Sequence, residues 1–222
     1  MRSRGALIVP ALLAASALCV ATVEYRTHHT GDAFYRFLVW NLFLAWVPFV
    51  LALAAYVAAR LGGRASVVVL GALWLPFFPN APYLLTDFIH LSESTTTPLW
   101  YDALMLASFA WTGLLLGFAS LYLMQTVWQR AAGPAVAWAC VVASLGLASF
   151  GVYLGRFLRV NSWDALVRPR LLAHVIRTEL EDPVRHPRLA ASLIVLTAAL
   201  SLGYLVVYAA AGVRLELDRR RP

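Results

Sequence analysis

The sequence predicts an all-α, polytopic transmembrane helix bundle of about six spans, with one broken helix and one interfacial amphipathic helix. Three observations carry this. Of the 222 residues, 61% are hydrophobic and 13% charged, against about 45–50% and about 25% in a soluble domain. Mean hydropathy is +0.72, and a water-soluble globule of one-domain size has no interior for that excess. Six runs lack Asp, Glu, Arg and His entirely, at about 6–23, 37–59, 65–85, 103–127, 135–154 and 189–213. Each is close to the roughly 20 residues with which a helix crosses a bilayer core of about 30 Å. Backbone in lipid must satisfy its own polar groups, which makes these runs helical. The chain therefore reads as one integral membrane domain over 1–222, with the lipid bilayer as its first partner.

Disorder, collagen, coiled coil and nucleic-acid binding are excluded as whole-chain readings. The isoelectric point near 9.9 comes from 18 basic residues, all Arg, which stand between apolar blocks and not on one soluble face. Cys19 and Cys140 lie inside apolar runs, where a thiol acts as a small hydrophobe, and form no disulfide framework.

The first run follows Arg2 and Arg4, and its 18 residues exceed a signal-peptide core of about 7–15. A lipoprotein site needs a small residue before Cys19, and Leu18 stands there. An uncleaved first helix is expected. The second run contains Trp40-Asn41 near its start. The third is interrupted by Pro76, Pro79 and Pro82, each of which removes a backbone donor and crowds the preceding turn. Asn80 suits the N-cap of a new helix with Pro82 in its first turn. That piece carries Thr86, Asp87 and His90, and residues three apart share a helical face. Such a break lines a cavity or is buried in protein, or it is a proline kink that serves packing alone. A turn at Gly133-Pro134 separates the fourth and fifth runs. Gly113-Leu-Leu-Leu-Gly117 and Gly151-Val-Tyr-Leu-Gly155 let helix backbones approach closely, and packing within the monomer is the preferred use. Between the last two runs, Leu171, Leu172, Val175, Ile176 and Leu180 recur at helical spacing opposite Arg170, His174, Arg177 and Glu181. That pattern places an amphipathic helix on the membrane surface at about 164–182.

With six spans, loops 1, 3 and 5 share one face, and the polar clusters gather there: Trp40-Asn41, the stretch Asn80 to His90, Trp100-Tyr101-Asp102, and Arg156 to Asp164. Arg counting ties at nine on each side, so the usual positive-inside bias is balanced. Arg2, Arg4, the Arg219-Arg220-Arg221 tail and the Arg-free loop 3 lean toward a cytoplasmic N-terminus. The converging face is a candidate site. His90 is the side chain suited to proton transfer near neutrality, with Asp87 to orient it. Arg156 and Arg159 present forks for a phosphate or carboxylate. Asn80, Asn161, Asp164, Asp102, Tyr83 and Asn41 complete a ligand-binding set. The ligand expected is an anionic lipid or envelope precursor. No metal centre and no cofactor is expected, since no His-x-x-x-His or paired Glu accompanies Asp87 and His90. Two alternatives stand beside this reading. One is a non-enzymatic scaffold or assembly factor in which the arginines pair internally with Asp87 or Asp102. The other is a small-solute transporter, weakened by spans without ionisable residues and by the lack of an internal repeat.

The stretch Trp74-Leu-Pro-Phe-Phe-Pro-Asn-Ala-Pro-Tyr-Leu-Leu-Thr-Asp-Phe-Ile-His-Leu91, followed by Gly151-Val-Tyr-Leu-Gly-Arg-Phe-Leu-Arg-Val-Asn-Ser-Trp-Asp164, resembles a bacterial family of multi-pass membrane proteins catalogued as a domain of unknown function. Asn41 to Trp46 and Trp100 to Asp102 also resemble it, so the likeness covers roughly 35–210. Val160 stands where the family commonly carries Trp, a departure that bears on packing more than on chemistry. The resemblance implies a bacterial inner-membrane protein and no particular activity.

Overall fold

The computed structural model describes residues 7–91, 93, 96–159, 164–168, 170, 173, 174, 177 and 187–219. All regular structure among them is helical. Helix α1 spans Ile8–Thr30, and a 3-10 turn at Phe34–Arg36 leads into α2, Phe37–Arg60. Then come α3 (Arg64–Phe77), the one-turn α4 (Asn80–Tyr83) and a 3-10 segment, Leu84–His90. Helix α5 covers Leu99–Phe157, α6 Asp164–Val167 and α7 Pro187–Arg219. Among the described residues, five stretches are long and apolar enough to cross a membrane: Ile8–Thr30, Phe34–Arg60, Arg64–His90, Leu99–Phe157 and Leu193–Ala211. The chain is a membrane-embedded, all-α protein. Of the amphipathic helix expected at 164–182, α6 forms the start, and most of the remainder lies outside the described residues.

Two boundaries differ from the charge-free runs for physical reasons. Helix α1 continues past Val23 to Thr30, because Arg26 on it is buried against acidic partners and so does not end the span. Gly31, at φ 71, then closes it with its N–H on the Thr27 carbonyl, a left-handed cap open to glycine at no steric cost. Helix α5 has 59 residues, far more than the roughly 20 of one crossing. It is two arms parted at Gly133, whose φ 86 and ψ 172 are non-helical, and Pro134 opens the second arm where a missing N–H costs nothing.

The arms are antiparallel, because positions well before and well after Gly133 meet the same broken segment. A Cβ built on Gly113 would come within 2.6 Å of the Ala81 carbonyl oxygen and Leu84 Cδ1, and one on Gly117 within 3.1 Å of Ala81 Cβ. One on Gly151 would strike the Pro79 ring at 2.5 Å. The small-xxx-small motifs are therefore used inside the monomer, where they seat the wedge made by α4. Without a strong hydrophobic drive in lipid, such close packing and interhelical hydrogen bonds hold helices together. Trp74 Nε1 donates to Ser120 Oγ at 2.7 Å, and Ser120 donates to the Pro48 carbonyl at 3.0 Å, which ties α3, α5 and α2 at one point. Trp46 bonds Ser16 at 3.0 Å across α2 and α1. Tyr204 of α7 donates to Gln125 of α5.

The prolines break the third span differently from the sequence expectation. Pro79, not Asn80, occupies the N-cap of α4. The Asn80 amide instead donates to the Phe77 carbonyl at 3.0 Å, one of the carbonyls that the break leaves without an intrahelical donor. Beyond α4 the chain tightens into 3-10 geometry, in which residues three apart eclipse. Asp87 and His90 thus stand one above the other.

Two measurements test this architecture. In a background lacking Cys19 and Cys140, His28→Cys and Leu61→Cys, both exposed, should label from opposite sides with a membrane-impermeant thiol reagent. Labelling from one side would defeat the six-crossing parity. Gly113→Ala should lower thermal stability in detergent by about 1–3 kcal/mol, the usual cost of overpacking. Gly146→Ala, whose Cβ would meet nothing within 4 Å, should leave stability unchanged.

Candidate functional site

Two charge centres form at the same end of the bundle. The first joins the 3-10 segment to the end of α5. Arg156 donates from Nε to Thr86 Oγ1 at 2.9 Å and from Nη2 to the same oxygen at 2.7 Å. Nη2 also pairs with Asp87 Oδ1, and Asn41 Nδ2 holds Asp87 Oδ2 at 3.1 Å. The guanidinium lies over the Tyr83 ring at 4.5 Å, an arrangement that favours the cation. Asp87 is 1% exposed, and the Arg156 side chain is 12% exposed. The carboxylate is thus the inner member of the pair and the guanidinium the outer one.

His90 sits at the outer edge. Arg156 Nη1 is 3.1 Å from its Nε2, and Glu93 Oε2 is 2.9 Å from its Nδ1. A guanidinium only donates, so Nε2 is the acceptor and the ring hydrogen sits on Nδ1, donated to Glu93. The Phe34 and Phe37 rings meet the imidazole at steep angles with centroids at 6.0 and 5.1 Å. The imidazole is 24% exposed and the Glu93 side chain 48%. Glu93, absent from the sequence reading, is therefore the carboxylate on His90, while Asp87 faces Arg156.

The second centre lies between α1 and the start of α5. Arg26, with a fully buried side chain, donates Nε to Asp102 Oδ1 at 2.8 Å and Nη1 to Asp32 Oδ2 at 3.2 Å. Its Nη2 reaches Thr96 Oγ1 at 3.1 Å, and Thr97 donates to Asp102 Oδ1 at 2.8 Å. Tyr35 connects the two centres. Its ring lies 4.6 Å from the Arg26 guanidinium carbon, and its hydroxyl donates to the His90 carbonyl at 2.6 Å.

Of the residues singled out by sequence, Asp87, His90, Arg156, Asn41 and Tyr83 come together in the first centre. Asp102 belongs to the second. Asn80 lies at the break below. Arg159 is exposed just past the end of α5, with φ 55, and has no ion pair among the described residues. Asp164 opens α6. Asn161 lies outside the described residues. Arg26, Asp32, Thr96 and Tyr35 were not anticipated. One signal was present, since Cys19, Val23 and Arg26 continue one buried face at spacings of four and three.

Arg156→Ala should destabilise the protein by about 3–5 kcal/mol, because it leaves a buried carboxylate without its cation. Asp87→Leu combined with Arg156→Met should cost far less, because neither charge then remains. Chemical denaturation in detergent reads both, and a double variant as unstable as the sum of the single ones would remove the pair from its structural role.

No curated protein and no solved structure matches the chain significantly. A family model does match, over residues 40–202. That range takes in the break with Asp87 and His90, both arms of α5 and Arg156, and so covers the whole first centre apart from its Phe34, Tyr35 and Phe37 neighbours. The chain belongs to the family described as "Protein of unknown function (DUF1361)".

Proposed function

We propose that this membrane protein binds the phosphate-bearing headgroup of a lipid or envelope precursor at the rim of the Asp87–Arg156 centre; the sequence expectation is an anionic one. One observation carries the reading. Four of the five Arg156 N–H groups go to Thr86, Asp87 and His90, and the second hydrogen of Nη1 has no acceptor among the described residues. Arg159 stands exposed three residues on, and a phosphate oxygen is the acceptor that such donors suit best. The depth also fits. Trp40 and Trp100, each more than half exposed, flank Asn41 and Asp102 as headgroup-level anchors. Exposed Ile89 and Phe157 offer apolar surface beside the rim for an acyl chain.

In this reading Asp87, Asn41 and Tyr83 fix Arg156. His90, oriented by Glu93, is the proton donor or acceptor if the bound group reacts. Asp102 and Asn80 serve the frame. The setting is a bacterial inner membrane with the N-terminus in the cytoplasm, supported by the family resemblance, by Arg2 and Arg4, and by the triple-Arg tail.

The scaffold reading has its own specific support: both Asp87 oxygens and most Arg156 donors are satisfied internally. Native mass spectrometry of the purified protein separates the two. A co-purifying phosphate-bearing lipid, reduced severalfold by Arg159→Ala with folding intact, is the expected result. A lipid complement indifferent to Arg159→Ala would leave the scaffold reading in its place.

A further inference from the structure

We infer that the headgroup taken at this rim is zwitterionic, a phosphate joined to a primary ammonium, and not a purely anionic one. The inference rests on the headgroup-binding reading above and names its ligand class.

The argument is charge balance around one ring. Asp87 and Arg156 cancel each other at the base. Two exposed charges of opposite sign stand near this pair along the chain, Arg159 three residues after Arg156 and Glu93 three residues after His90. The imidazole of His90 bridges their two chain segments, with Glu93 on Nδ1 at 2.9 Å and Arg156 on Nε2 at 3.1 Å. A single ring width therefore separates a carboxylate from the guanidinium edge that carries the unused N–H. A purely anionic headgroup placed on that edge would lie against Glu93 and be repelled. A phosphate followed two carbons later by an ammonium puts a charge of the right sign on each side.

The carboxylate also distinguishes among ammonium groups. Glu93 spends one oxygen, Oε2, on His90, and the other keeps its lone pairs. A primary ammonium donates N–H bonds to such an oxygen, and charge-assisted bonds of this kind are the stronger class. A quaternary ammonium has no N–H to give. The order expected is phosphatidylethanolamine ahead of both phosphatidylglycerol and phosphatidylcholine.

The experiment reconstitutes the full chain in bilayers with equal parts of these three lipids, extracts it, and measures the retained classes by native mass spectrometry. Wild type should hold phosphatidylethanolamine over each of the others by about threefold, the ratio that one exposed ion pair supplies. Glu93→Gln should remove that preference and raise phosphatidylglycerol, since it deletes both the ammonium's partner and the repulsion. Arg159→Gln should lower retention of all three. Both side chains are exposed, so folding is not at risk, and unchanged thermal unfolding confirms it. A wild type that prefers phosphatidylglycerol, with the preference lost in Arg159→Gln, overturns the zwitterionic inference and leaves the headgroup reading standing. Equal retention of all classes, insensitive to Arg159→Gln, overturns both.

Discussion

A carboxylate that is 1% exposed at the end of a membrane helix dictates much of what surrounds it. Stranding an ionised group away from water costs several kcal/mol even after relaxation, so Asp87 must have a cation, and Arg156 supplies it from a residue 69 positions further along the chain. That partnership fixes which end of α5 meets the broken third span. It also explains why the break takes the form it does. Pro76, Pro79 and Pro82 end the α-helical ladder, and the tighter 3-10 turns that follow stack Thr86, Asp87 and His90 where one guanidinium can reach all three.

The second centre obeys the same constraint with both inner members buried. There Arg26 and Asp102 are sealed together, Asp32 and Thr96 also come to the guanidinium, and Thr97 donates to Asp102. Tyr35 lies between the centres and serves both, its ring under one arginine and its hydroxyl on the backbone of His90. Short loops 1 and 3 are thereby fastened to each other as well as to the helices. The charged side chains at this end are each held by several contacts, and donors already held in place lower the ordering cost of any interaction they make.

The membrane class was legible in the sequence, because charge-free runs are a direct consequence of the bilayer. Pairing was less legible. Spans defined by absence of charge stop at the first ionisable residue, so Arg26 falls outside the first run, although it continues the buried stripe through Cys19 and Val23. Asp102 was consequently grouped with Arg156, when its cation lies 76 residues before it. The N-cap assigned to Asn80 followed a sound local rule that tertiary context overrode: Pro79 took the cap, and the Asn80 amide went to a carbonyl freed at the break. Nothing in the sequence of the Arg-free loop 3 marks Glu93, and only the 3-10 turn before it brings the carboxylate back onto His90.

The distribution of polar contacts along the bundle argues further about where chemistry belongs. Deeper in the helices, Ser120 joins Trp74 to the Pro48 carbonyl, Cys19 meets Thr112 at 3.4 Å, and Ser16 accepts from Trp46. Each of these contacts crosses between helices and uses up its donor, which is the role of interhelical glue and worth on the order of 1 kcal/mol apiece. Groups spent in this way have little left to offer a passing solute. The Asp87–Arg156 centre differs because its members are graded in exposure, from a sealed carboxylate, through a guanidinium with one hydrogen that has no acceptor among the described residues, to an imidazole and a carboxylate in contact with the outside. Exposure and unspent hydrogen-bonding capacity therefore increase outward from the buried pair, which anchors the charged groups at the rim.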